Sequence, residues 1–237
     1  MIQRTLPIII AVTVASYAVG WAVGIPLAMP FLNTLAAFPF MAVTLARGTL
    51  RQAIAQMLVW ALTMAVCATA MSYWQPWTTD ALFLRGAAYR LEMFAWVKTG
   101  IGAESSPAQF IPQHALHAAL FSALALATGG ILAMPMGAVL MNYMGHYAGT
   151  LAAASRRPLV TALLAWHPWA IVRIVSFVVI GVVLSAPLWS RVGRFRVDWT
   201  AGRRLLRAGA GGLVLDVVMK TLLARTWHIL LLYLTGW

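Results

Sequence analysis

TLPIIIAVTVASYAVGWAVGIPLAMPFLNTLAAFPFMAVTLA, residues 5–46, carries no formal charge. Laid out as one helix it would extend about 63 Å, roughly twice the hydrocarbon core of a bilayer. The stretch therefore has to fold back on itself. Pro26 and Pro30 sit near its middle, where a turn belongs, because proline lacks a backbone donor and obstructs the preceding helical turn. This spacing predicts two membrane spans, over residues 6–24 and 28–46, with Pro39 kinking the second. Arg4 followed by an apolar run has the outline of a signal peptide, but apolar sequence continues to Ala46, so an uncleaved first span is expected.

The rest of the chain agrees. Of 237 residues, 62% are hydrophobic and 9% charged, with a mean hydropathy of +0.84. Soluble domains average about 45–50% apolar and about 25% charged residues. So few charges cannot coat a soluble globule. Disorder, collagen and a disulfide scaffold are excluded too, because the composition is apolar, the glycines have no period and Cys67 is the sole cysteine. The expected fold class is all-α: a polytopic transmembrane helical bundle of about six or seven spans, forming a single integral membrane domain over residues 1–237. No internal repeat supports an inverted-repeat transporter.

Further spans are expected at 53–74, 113–133, 136–154 and 208–237. Tyr73, Trp74 and Trp77 close the first of these like an interfacial aromatic belt. Residues 75–112 contain three bases (Arg85, Arg90, Lys98) and three acids (Asp80, Glu92, Glu104). That balance predicts a non-cytoplasmic loop, with residues 81–98 as an amphipathic interfacial helix on which Arg85 and Glu92 share a face. Region 159–190 is long for one span and too short for two full spans, and His167-Pro168 interrupts it. A short re-entrant segment or half-helix up to His167 followed by a span over 169–188, or a single kinked and strongly tilted span, would fit.

The net charge is +12. In a soluble chain this would suggest nucleic acid; here the rule that basic residues gather in cytoplasmic loops explains it. Six arginines between Arg191 and Arg207 mark a basic cytoplasmic loop, residues 191–207, facing anionic lipid headgroups. The expected partners are therefore the bilayer, those headgroups and other membrane subunits, with no nucleic acid. The expected location is a bacterial-type inner (plasma) membrane, with a cytoplasmic N-terminus.

Ionisable groups inside a span are costly and point to function. Asp216 and Lys220, spaced i, i+4 with the acid first, form an expected ion pair or relay. Arg173 is a candidate for binding an anionic group, since a guanidinium matches phosphate geometry. Asn142, His146 and His167 are polar intramembrane candidates. His114, His117, His146 and His167 are weak metal or haem ligands: no carboxylate accompanies them and no HExxH pattern occurs. The cofactor is left unknown. Gly137, Gly145 and Gly149 mark close helix approach, the last two as a GxxxG pair. There is no GxSxG, P-loop or dinucleotide fingerprint.

These features favour a non-catalytic integral membrane protein, either a small transporter or permease component or an accessory subunit of a larger membrane complex. Two alternatives stay open. One is a His-ligated haem or chlorophyll subunit for electron transfer or pigment binding. The other is an intramembrane lipid-modifying enzyme working through Arg173 and His167.

Overall fold

The computed structural model describes residues 2–194 and 197–237, excepting the side chains of 2–4, and every regular element in them is helical. In chain order these are α1 (Ile2–Val23), α2 (Ala28–Ala46), α3 (Leu50–Trp74), α4 (Pro76–Leu82), α5 (Gly86–Thr99), a 3₁₀ turn (Ala103–Ser105), α6 (Pro107–Thr128), α7 (Ala133–Ala153), α8 (Pro158–Ala165), α9 (Pro168–Gly193) and α10 (Trp199–Thr235). Six are long and apolar enough to cross a membrane: α1, α2, α3, α6, α9 and α10. Their outward residues are large and apolar, for example Leu62, Leu116 and Leu222, as lipid contact requires. The molecule is a multi-pass helical bundle.

Proline opens α4, α6, α8 and α9, where its missing N–H costs nothing. Pro39 is accommodated inside α2. The reversal between α6 and α7 depends on Gly129 and Gly130, at φ 60° and 95°. Side chains there would also strike Leu188 and Ser185, so the turn is closed by backbone alone.

Two ends of the bundle can be told apart. At one, Gly193 lies against the Ala46 carbonyl and Trp189 Nε1 donates to the Gly129 carbonyl at 2.9 Å. Arg47, Arg191, Arg194, Arg203, Arg204 and Arg207 gather here, so we call it the basic end. Arg196 of the expected cluster lies outside the described residues. The basic segment is less of a loop than expected. The α9 helix runs to Gly193, and α10 starts at Trp199, where the Asp198 carboxylate accepts from the Thr200 and Ala201 amides at 2.9 and 3.1 Å. At the opposite end lie α4, α5, the 3₁₀ turn and the last turn of α10, whose Leu234 carbonyl accepts from Ser155 Oγ at 2.9 Å.

Helix α7 is as long as a span but less apolar, because it forms the packed interior. Gly145 and Gly149 let it cross α3 at backbone distance: a Cβ at Gly145 would meet Ala68, and one at Gly149 the Thr69 carbonyl. Asn142 explains why this helix tolerates amides. It accepts from Tyr17 Oη (2.5 Å) and donates to Asn33 Oδ1 (3.0 Å), while Asn33 donates to Ser16 Oγ (2.9 Å). This buried chain joins α1, α2 and α7.

The awkward 159–190 region combines features of both expected arrangements. α8 ends at Ala165, His167-Pro168 breaks the helix, and α9 continues. Both pieces run in series along the 37 residues of α10. Trp227 Nε1 donates to the Leu164 carbonyl at 2.7 Å, and further along Gly212 faces Ser176. Helix α5, within the segment expected to be interfacial, is seated on the end of the bundle. Met93, Trp96 and Val97 are buried against α7 and α10, so it caps the bundle.

Candidate functional site

A cavity of about 530 Å³ opens between α6, α7 and α9, with α5 and the 3₁₀ turn over one end. Its volume falls within the range of small-ligand sites, roughly 300–1,000 Å³. The two ends differ in chemistry. Toward the basic end the walls are apolar and soft, built from Met41, Met57, Met134, Met141, Phe177 and Val182. At the other end Arg85, Glu92, Glu104, His114, His117 and Arg173 enter the wall. The rim is open there, since Arg85, Ala88, Glu92 and Gln113 are all exposed.

Sequence spacing does not reveal the pairing of the buried charges. Asp216 and Lys220 are each 1% exposed, but each bonds a different partner. Arg173 grips Asp216 with both ends of a fork, Nε to Oδ2 and Nη2 to Oδ1, each at 2.9 Å. His114 Nδ1 stands 3.4 Å from the same carboxylate, without hydrogen-bond alignment. Lys220 Nζ reaches Glu104 Oε1 at 2.8 Å, with the Phe110 ring 4.5 Å away. The expected i, i+4 pair on α10 is thus replaced by two interhelical pairs. The physical reason is reach: α9 and the 3₁₀ turn bring partners from the sides of the helix, where both bonds can be straight. Burial disfavours the Glu104 charge, but Lys220, helped by His167 and Arg173, outweighs it and holds this carboxyl below its ordinary range.

Of the histidines, His114 and His117 line the cavity. His146 lies elsewhere, with both ring nitrogens engaged: Nδ1 with Ser72 Oγ at 3.1 Å and Nε2 with Asp80 Oδ1 at 2.9 Å. Asp80 in turn receives Arg90 Nη2 at 2.6 Å. This serine–histidine–aspartate chain has the composition of a hydrolase triad. Ser72, however, is fully buried under Gly149 and does not line the cavity, so the chain acts as a strut joining α3, α7, α4 and α5. His167 stacks on Trp169 at 4.5 Å and meets Tyr147 Oη at 3.3 Å; it too lies outside the cavity wall that holds Arg173. Among the described residues, no three His, Cys, Asp or Glu side chains converge to hold a metal ion.

Sequence reasoning passed over Glu104, Asp80 and the Tyr89–Tyr143 stack, whose centroids are 4.8 Å apart. One signal was available. The chain has five acids in all, so buried bases must draw on that short supply. Gly137, grouped by sequence with the packing glycines, lines the cavity, and a Cβ there meets nothing closer than Phe121 at 3.6 Å. Comparisons with protein families, with curated proteins and with solved structures returned no match.

Proposed function

We propose that this protein is a non-catalytic membrane protein of the transporter or permease kind, which takes the body of an amphiphile into its central cavity. The observation that carries this reading is the polarity of that cavity: ionic at its open rim, methionine- and aromatic-lined at depth. Methionine walls suit flexible chains, because an unbranched thioether adapts to irregular shapes. The arginine-rich end is the cytoplasmic one by the positive-inside rule, so the N-terminus is cytoplasmic and the rim faces the other side.

The test is lipid or detergent-tail binding to the purified protein, compared with Gly137→Leu. Gly137 lines the cavity, and a Cβ there makes only an ordinary contact with Phe121, at 3.6 Å. Loss of tail binding with unchanged thermal stability supports the cavity reading. Unchanged binding by a folded Gly137→Leu variant overturns it.

A further inference from the structure

We infer that the cavity's ligand carries a zwitterionic head, with a phosphate and an ammonium group, as in a glycerophospholipid of the ethanolamine class. This deepens the amphiphile reading and rests on it. The charged groups in the cavity wall are two guanidiniums, Arg85 and Arg173, and two carboxylates, Glu92 and Glu104. Their sum is zero. A purely anionic head would face both carboxylates, and a purely cationic head both guanidiniums; a head bearing both signs matches each with its opposite.

The deeper two groups are already engaged, Arg173 with Asp216 and Glu104 with Lys220. The rim pair is different. The side chains of Arg85 and Glu92 make no hydrogen bond or ion pair among the described residues; of Arg85 only the carbonyl is engaged, accepting from the Tyr89 amide at 3.0 Å. Arg85 immediately precedes α5, and Glu92 lies about two turns along that helix, roughly 10 Å away along its axis. That gap is too long for them to neutralise each other directly, and it leaves a cation and an anion both unanswered at the cavity mouth. Between them on the same wall stand the stacked Tyr89 and Tyr143 rings. Aromatic faces attract ammonium groups, so the stacked rings add a second attraction for a cation beside the rim carboxylate. Arg85 is one of two non-glycine residues with positive φ among the described residues, at 56°. Such a conformation is held against its intrinsic cost where geometry matters, and here it starts α5 with the guanidinium at the rim.

The experiment measures binding of three tail-fluorescent probes to the intact protein in detergent: a phosphatidylethanolamine, a phosphatidylglycerol and a diacylglycerol. The ethanolamine lipid is expected to bind about fivefold or more tightly than either of the others. Glu92→Gln should remove its advantage over phosphatidylglycerol. Arg85→Gln should weaken both phosphate-bearing lipids and spare the diacylglycerol. Gly137→Leu should block all three. If all three bind equally and Gly137→Leu still blocks them, the cavity reading survives and the head-group inference falls. A preference for ethanolamine that persists in both rim variants also overturns it. If Gly137→Leu blocks none of the probes, both readings fall together.

Discussion

An arginine whose fork is filled by a buried carboxylate leaves a heavy debt when either partner is removed. Arg173→Leu or Asp216→Asn alone is expected to destabilise the bundle by roughly 3–5 kcal/mol, because the survivor is stranded in low dielectric. The double change should cost much less than the sum. Glu104→Gln and Lys220→Met should couple in the same way, and Asp216 with Lys220 more weakly than either true pair. Thermal unfolding in detergent across these double-mutant cycles checks this, and additive losses within the bonded pairs would contradict it. The sequence marked Asp216, Lys220 and Arg173 as costly residues, but not who holds whom. Partners 43 and 116 residues away are set by helix packing, which residue spacing does not encode. Asp80 offers a pH test. Burial opposes its charge, but hydrogen bonds from Arg90 and His146 prevail and hold its carboxyl below the ordinary value. A group depressed on folding stabilises the native state above its unfolded pKa, and this is lost as pH falls through the folded pKa. The α4–α5 strut should therefore hold at neutral pH and loosen below about pH 4. Arg90 lies 5.3 Å from the Trp77 ring centroid, so Trp77 fluorescence would report the change, and Asp80→Asn should abolish the acid transition.

Helices carry the second scale. The first hairpin was readable because forty-odd uncharged residues cannot be anything else in a bilayer, and His167-Pro168 was readable as a break because proline removes a donor. The seating of α5 was not readable. Its apolar residues are not confined to one stripe, since it buries Trp96 against α7 and α10 while showing Tyr89 and Glu92 to the cavity. The glycines of α7 separate by environment in a way their spacing hides. Gly149→Leu should force α3 and α7 apart and reduce folded yield sharply, since its Cβ would enter the Thr69 carbonyl. Gly137→Leu should fold normally. Size-exclusion profiles of the two variants check the contrast, and equal damage from both would contradict the assignment of Gly137 to the cavity.

At the scale of the molecule, charge and polarity run along one axis. The basic end holds most of the exposed arginines, the middle holds a soft apolar cavity, and the opposite end holds the paired ions and the open rim. If the basic end is cytoplasmic, cysteines at Arg204 and Arg157, introduced singly in a Cys67→Ser background, should label from opposite sides of the membrane. Labelling of both from one side would refute that orientation. The most direct measurement of the central claim is photocrosslinking with a phospholipid bearing a diazirine deep in its acyl tail, followed by peptide mapping. Adducts on Met134, Met141 and the α9 wall around Phe177 are the expected result. Adducts confined to outward residues such as Leu62, Leu116 and Leu222 would mean that lipid surrounds this bundle without entering it.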